Sequence, residues 1–139
     1  MKAAVEKAID DLQTGLPEEA TVEVKPDDDG GAYVLVDNLE IGSCFKPSKS
    51  WVAFHITWSH PDADIYPHFI DPGIEYIGDG AAPNQFPEGN LPTSMSRGGV
   101  APGFERPAIQ ISRRSNRCNP ATDSALHKLL RVLDFLRSR

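Results

Sequence analysis

The sequence predicts an α+β fold: a four-stranded antiparallel meander flanked by an N-terminal and a C-terminal helix. Apolar residues recur at helical spacing in residues 2–14 and again in residues 120–137. The chain between these segments alternates short β-branched and aromatic runs with turn residues, as strands do. A chain of 139 residues, 40% of them hydrophobic, suits one core, so residues 1–139 are interpreted as a single domain.

Both predicted helices have one apolar face. The first ends before Gly15 and Pro17, and its apolar face consists of Val5, Ala8, Ile9 and Leu12. Asn119 is the predicted cap of the second helix, with Pro120 in its first position, where a missing N–H is harmless. Its predicted apolar stripe consists of Leu126, Leu129, Leu130, Leu133 and Leu136.

The predicted strands lie in the first half of the chain. Residues 21–24 and 33–36 flank the turn signal of residues 26–31 and form a hairpin, and residues 37–38 interrupt it as a bulge or a short turn. Residues 51–58 are the predicted third strand and residues 73–77 the fourth. The large residues expected in the core are Trp51, Phe54, Trp58, Tyr66, Leu129 and Leu133.

Residues 78–107 are rich in glycine and proline and have little apolar periodicity, so an irregular loop is predicted there. Such a loop is either a surface excursion or a flap that binds a protein partner. The sequence favours neither alternative.

Charge is distributed unevenly. Residues 1–96 carry 5 Lys and Arg against 17 Asp and Glu, whereas residues 97–139 carry 9 against 3. No aromatic residues interleave Arg113, Arg114 and Arg117 in this basic third, so a protein contact or a solvated face is expected, not nucleic acid. No apolar run approaches a membrane span, and the two cysteines are too few for a disulfide scaffold. We therefore expect a cytoplasmic protein without a membrane partner.

Three motifs occur in an order that resembles ubiquitin-conjugating enzymes. Residues 64–67, Asp-Ile-Tyr-Pro, followed by Pro72, resemble that family's Tyr-Pro strand connection. Pro83 and Asn84 are similar to the end of its His-Pro-Asn motif, and residues 118–120, Cys-Asn-Pro, to its Trp-x-Pro helix entry. The resemblance covers nearly the whole chain, with compact bacterial relatives nearest, and it implies the ubiquitin-conjugating-enzyme (UBC-like) fold.

The chain departs from the family at the expected nucleophile. The family's cysteine precedes Trp-x-Pro by roughly eight positions, which here corresponds to Gln110, a residue that cannot form a thioester. Ala82 replaces the histidine of the His-Pro-Asn motif. Asn84 lies far before residue 110, which puts its oxyanion-stabilising role in doubt.

Cys118 is the candidate catalytic residue, as the nucleophile of a displaced site. It precedes a predicted helix N-terminus, with Arg113, Arg114 and Arg117 nearby, and both features favour a thiolate. The alternative is that Cys118 fills the core position that tryptophan occupies in relatives. Cys44 lacks such an electrostatic setting and is interpreted as structural.

The histidines and aspartates give weaker signals. His55 and His60 would face opposite sides of a continuous strand, and His60 and His68 would meet only if the Tyr-Pro loop folds back, so no metal site or cofactor is predicted. His127 is either solvent-facing or an ion-pair partner of a thiolate. Further candidates for a general base are Asp62, Asp64 and Asp71, which otherwise cap turns.

Three functions follow from these alternatives. As an enzyme, the protein would accept a ubiquitin-like protein from its activating enzyme as a thioester on Cys118. As a catalytically inactive variant, it would bind ubiquitin-like proteins or an active partner. The third function is a scaffold in a bacterial antiphage defence assembly, contacting its partner through residues 78–107.

Overall fold

The computed structural model of the chain describes residues 1–78, 91–113 and 124–139. Within these ranges the fold is α+β, with two helices and eight strands. The elements are α1 (Ala3–Gly15), β1 (Thr21–Pro26), β2 (Ala32–Glu40), β3 (Phe45–Lys46), β4 (Lys49–Ile56), β5 (His68–Ile70), β6 (Glu75–Tyr76), β7 (Met95–Ala101), β8 (Arg106–Ile111) and α2 (Ala125–Arg137). Six strands form one sheet in the order β1-β2-β4-β5-β8-β7, and β3 pairs with β6 in a second, smaller sheet.

The predicted hairpin and bulge are confirmed. Strands β1 and β2 pair antiparallel from Thr21 opposite Asp37 to Pro26 opposite Ala32. The carboxylate of Asp27 closes the turn by accepting the N–H groups of Asp29 and Gly31, both at 2.8 Å. The register between β2 and β4 shifts between Val36 and Leu39, which marks the bulge at residues 37–38.

The predicted number of strands is wrong. The predicted third strand is confirmed as β4, with shifted bounds. The strand that follows β4 in the large sheet is β5, and not residues 73–77 as predicted. Residues 75–76 form β6 instead, which pairs with β3. Strand β5 has only three residues after Pro67, too few to show a period of two in the sequence.

The prediction of an irregular loop at residues 78–107 is also wrong in part. Residues 95–101 form β7, and β8 begins at Arg106. Strand β7 includes Gly98 and Gly99 where its register against β8 shifts, and glycine weakens strand propensity. Pairing with β8 stabilises β7 as a strand although its own sequence has a low strand propensity. Residues 79–90 lie outside the described ranges.

Both helices pack on the same face of the large sheet. The buried face of α1 is the predicted one, and it shares a core with α2 and with inward-facing strand residues such as Val34, Phe54 and Ile109. The opposite face of the sheet carries a smaller cluster of Leu35, Trp51, Ala53, Phe69, Ala101 and Ala108, with Phe104 packed against it. We call these the helix face and the outer face.

The C-terminal helix begins later than predicted. Ser124 has an extended backbone and caps α2, since its hydroxyl accepts the N–H of His127 at 3.1 Å. The helix therefore begins at Ala125. The predicted start at Asn119 and Pro120 lies outside the described residues. Within the predicted stripe, Leu129, Leu133 and Leu136 are buried, whereas Leu130 is 37% exposed and Leu126 is half-buried.

Two aromatic residues expected in the core lie at the surface. Trp58 is 61% exposed and Tyr66 is 37% exposed, whereas Trp51 and Phe54 are buried as predicted. Strand β4 ends at Ile56, and Trp58 follows in a turn in which the carbonyl of Thr57 accepts the N–H of His60. The backbone carbonyl of Trp58 accepts a hydrogen bond from the Lys2 ammonium at 2.9 Å.

Leu129 and Leu130 give a matched test of the core. Leu129 is fully buried between the helices and the sheet, and its neighbour Leu130 is partly exposed. Leu129→Ala should lower the free energy of unfolding by about 2–5 kcal/mol, because truncation leaves a cavity. Leu130→Ala should lower it by less than about 1 kcal/mol. Urea unfolding measures both, and equal losses would contradict the described orientation of α2.

Candidate functional site

A buried polar cluster on the helix face brings together residues from α2, the β4–β5 connection, strand β5 and the segment after β8. Lys128 lies in the first turn of α2, and its side chain is 7% exposed. Its ammonium contacts the carboxylate of Asp64, in the β4–β5 connection, at 3.0 Å and the backbone carbonyl of Arg113, just after β8, at 2.6 Å. The fourth member is His68, the first residue of β5. We call these four residues the Lys128 cluster.

His68 is fully buried, and neither ring nitrogen has a hydrogen-bond partner among the described residues. Its ring lies 5.1 Å from that of Phe54, centroid to centroid. Burial above all, together with the charge of Lys128, lowers the pKa of His68 to about 3, and the charge of Asp64 opposes this change in part. The imidazole is therefore neutral at neutral pH.

The buried charge of Lys128 is stabilised by its ion pair with Asp64 and its hydrogen bond to the carbonyl of Arg113. An ammonium taken out of water is costly unless it is paired and hydrogen-bonded, and Lys128 is both. The neutral imidazole beside it is able to donate one hydrogen bond and accept another. The contact of the Lys128 ammonium with the carbonyl of Arg113 also links α2 to the residue that precedes positions 114–123.

Cys118, the predicted nucleophile, lies outside the described residues. So do Arg114 and Arg117, and so do Ala82, Pro83 and Asn84. The third predicted arginine, Arg113, is described, and its guanidinium stacks over the ring of Phe135 at 4.4 Å. Phe135 is ten residues beyond the start of α2, or roughly 15 Å along the axis, so this charge does not lie at the helix N-terminus.

Gln110 occupies the position that the resemblance assigns to the nucleophile. It lies on β8, on the outer face of the sheet, opposite Phe69 on one side and Ser96 on the other. Its amide nitrogen donates to the hydroxyl of Ser112 at 3.1 Å. This position therefore offers an amide on a regular strand, and no thiol.

Cys44 is buried, with 9% of its surface exposed. Its backbone carbonyl accepts the N–H groups of Ile77 and Gly78, at 2.8 and 3.2 Å, beside the β3–β6 pair. These contacts agree with the structural role predicted for it.

The other histidines do not converge on a site. His55 lies on the outer face, where its Nε2 contacts the Asp27 carboxylate at 2.6 Å and its ring stacks on Tyr33 at 4.5 Å. Burial raises the pKa of Asp27, but hydrogen bonds from His55, Asp29 and Gly31 outweigh it and leave the pKa below its usual value. His60 is buried, and burial lowers its pKa. His127 is exposed on α2.

The three candidate aspartates have different surroundings. Asp71 caps a turn by accepting the N–H of Gly73 at 2.8 Å, as predicted, and Asp62 is exposed. Asp64 belongs to the Lys128 cluster. Among the described residues, no group of three or more His, Cys, Asp or Glu side chains is arranged to hold a metal ion.

Lys128 is the site residue that sequence reasoning missed. The signal was present, because Ala125, Leu129 and Val132 lie three residues before, one after and four after it, on the buried face of α2. A lysine at such a position needs a buried partner. The sequence does not show that Asp64, distant in the chain, is that partner.

Comparison with protein-family models, with curated proteins and with solved structures finds no match to this chain. The resemblance to ubiquitin-conjugating enzymes rests on its motifs and their order alone. In addition, no helix in the described ranges is long and apolar enough to cross a membrane.

Proposed function

We propose that this protein belongs to a bacterial ubiquitin-like conjugation pathway and carries a ubiquitin-like protein as a thioester on Cys118. The Lys128 cluster supports the proposal most directly. It links the first turn of α2 to the β4–β5 connection and to Arg113, the residue that precedes positions 114–123. A nucleophile that must meet a large activated substrate benefits from such a fixed support.

The chemistry is a thioester exchange. The Cys118 thiolate attacks the carbonyl carbon of the ubiquitin-like C-terminus, which the activating enzyme holds as a thioester, and the thiolate of the activating enzyme leaves. An amine or hydroxyl of the final acceptor then attacks the new thioester, and Cys118 is released. The order of α1, the antiparallel strands, Tyr66-Pro67 and α2 is the further support for this class of reaction.

Alkylation of the folded protein tests whether the thiol of Cys118 is exposed and reactive, as a nucleophile must be. Iodoacetamide should modify Cys118 at least about tenfold faster than Cys44 near neutral pH, because the thiolate reacts and Cys44 is buried. Peptide mass spectrometry over a time course measures both rates, and Cys44→Ser is the control that should leave the Cys118 rate unchanged. If Cys118 stays unmodified until the protein unfolds, the proposal fails.

The second candidate is a catalytically inactive module that binds ubiquitin-like proteins. The position of Gln110 on a regular strand, where the resemblance expects the nucleophile, favours it. Such a module would bind its partner equally well after Cys118→Ser, and it would form no covalent adduct. The two candidates are thus separated by one substitution.

A further inference from the structure

Among the described residues, nothing hydrogen-bonds to the free backbone edge of strand β1. It lies at one end of the six-stranded sheet, and within the described ranges its only strand neighbour is β2. Its six residues pair with β2 in one unbroken register, without a bulge. The opposite edge, β7, is interrupted by the irregularity between Ser96 and Gly99. Edge strands without a bulge are templates for pairing with another strand.

The direction of the free backbone groups follows from the hairpin turn. The N–H of Asp27 donates to the carbonyl of Gly31, directly opposite, at 3.2 Å. Bonded and non-bonded pairs alternate in an antiparallel ladder, so Lys25, Glu23 and Thr21 bond to β2, whereas Val22, Val24 and Pro26 point their backbone groups outward. Pro26 fits this alternation, because its position requires no N–H toward β2.

We propose that β1 pairs with β1 of a second copy of this chain, across a two-fold axis at Val24. In this register Val24 lies opposite its own copy and exchanges two backbone hydrogen bonds with it. The N–H of each Val22 donates to the carbonyl of the opposite Pro26. Glu23 of each copy then lies opposite Lys25 of the other, in a non-bonded pair where side chains approach closely.

Charge and apolar surface agree with this register. Glu23 and Lys25 are both exposed on the outer face, where the Lys25 ammonium also donates to the carbonyl of Gly103 at 3.3 Å and lies over the ring of Phe104. In the proposed register, two opposite-charge pairs form per dimer. Val22 and Val24 are only partly buried, and their side chains pack against the core on the helix face. In the proposed dimer, the apolar side chains of Val22 and Val24 from the two copies lie next to one another on the helix face. A self-complementary strand of this kind is what a two-fold interface requires.

Sedimentation equilibrium tests the proposal on the full chain. The apparent mass should rise from 15.2 kDa toward twice that value with concentration. A contact of one strand is small, so we expect a dissociation constant on the order of 100 μM. A single 15.2 kDa species up to about 1 mM would overturn the proposal.

Charge reversal identifies the register. Glu23→Lys and Lys25→Glu should each weaken the dimer by about tenfold, because each turns two attractive pairs into repulsive ones. The double variant restores opposite charges and should regain the original dissociation constant within about threefold. A dimer that none of these variants affects would use another surface and would contradict the proposal.

Val24→Pro removes an outward N–H without removing a bond to β2, and it should abolish the dimer. Val24→Thr keeps the N–H and the branched side chain and is its control. If Val24→Pro fails to fold, hydrogen exchange of the unaltered protein decides. The amides of Val22 and Val24 should become protected only at high concentration, while those of Glu23 and Lys25 are protected throughout. Val22 and Val24 amides that exchange equally at all concentrations would refute the pairing.

Discussion

Replacing His68 by methionine should remove much of the pH dependence of stability between pH 6.5 and pH 3. The pKa of His68 falls from 6.5 to about 3 on folding, because the ring is fully buried beside the Lys128 ammonium. Within this window the unfolded chain binds a proton at His68 and the folded protein does not. Methionine has a similar volume and does not titrate.

The sign of the effect follows from linkage. Stability rises with pH wherever the unfolded state binds more protons, by up to about 1.4 kcal/mol per pH unit for one group. The contribution of His68 is fully present above pH 6.5 and is lost as the pH falls toward 3. Over this range we expect a loss of several kcal/mol, with about 4–5 kcal/mol as the upper bound.

Urea unfolding at a series of pH values measures this difference. His68→Gln is the matched variant, because it keeps buried polar atoms but does not titrate. It should lose the same pH dependence as His68→Met and be less stable at neutral pH, since buried polar groups without partners are costly. Parallel pH profiles for the original protein and His68→Met would show that His68 is not a buried neutral histidine.

Lys128→Met should lower the free energy of unfolding by about 3–5 kcal/mol, because it removes the ammonium that pairs with the Asp64 carboxylate in a largely buried site. It also leaves the carbonyl of Arg113 without the ammonium 2.6 Å away. Asp64→Leu should have a similar cost, since it removes the carboxylate that pairs with the buried ammonium of Lys128. The double variant Asp64→Leu/Lys128→Met should cost less than the sum of the single changes.

The pair Lys7 and Asp11 is the control for this experiment. Their side chains are 3.2 Å apart on the surface of α1, and they are 77% and 40% exposed. Lys7→Met should therefore change the free energy of unfolding by less than about 1 kcal/mol. A loss no greater than this for Lys128→Met would mean that the Lys128 cluster does not hold α2 to the sheet.

Local patterns predicted the first part of the fold. The face of α1 follows from helical spacing, and the β1–β2 hairpin follows from an acidic turn whose Asp27 accepts two backbone N–H groups. The bulge was readable because Asp-Asn interrupts an apolar strand, and Asn38 has the left-handed φ of 64° that asparagine tolerates. These features depend on residues close together in the chain.

The remainder depends on contacts between distant segments. Strand β7 exists because β8 pairs with it, although its own sequence is rich in glycine. Trp58 has the composition of a buried strand residue, but the turn after Ile56 carries it to the surface. Ser124 caps α2, and the residue type alone does not select it, because serine and asparagine suit a cap equally.

For the candidate site, the sequence indicates some of the individual residues but not the contacts between them. Asp64 was named as a possible base or turn cap, and its contact with Lys128 spans 64 positions of the chain. His68 was considered only as a weak metal ligand, whereas its burial beside a cation makes it a neutral core residue. No local pattern indicates pairings of this length. The prediction about Cys118 stays a prediction.

Formation of a thioester tests the central proposal most directly. The tagged protein is recovered from the cells that encode it, thiols are blocked at once, and adducts are separated without reductant. The proposal predicts a covalent adduct with a ubiquitin-like protein that a reductant releases. Cys118→Ser should abolish it or convert it to an oxyester that resists the reductant, and Cys44→Ser should leave it unchanged. An adduct that persists unaltered in Cys118→Ser, or no adduct in the original protein with its activating enzyme present, would contradict the proposal.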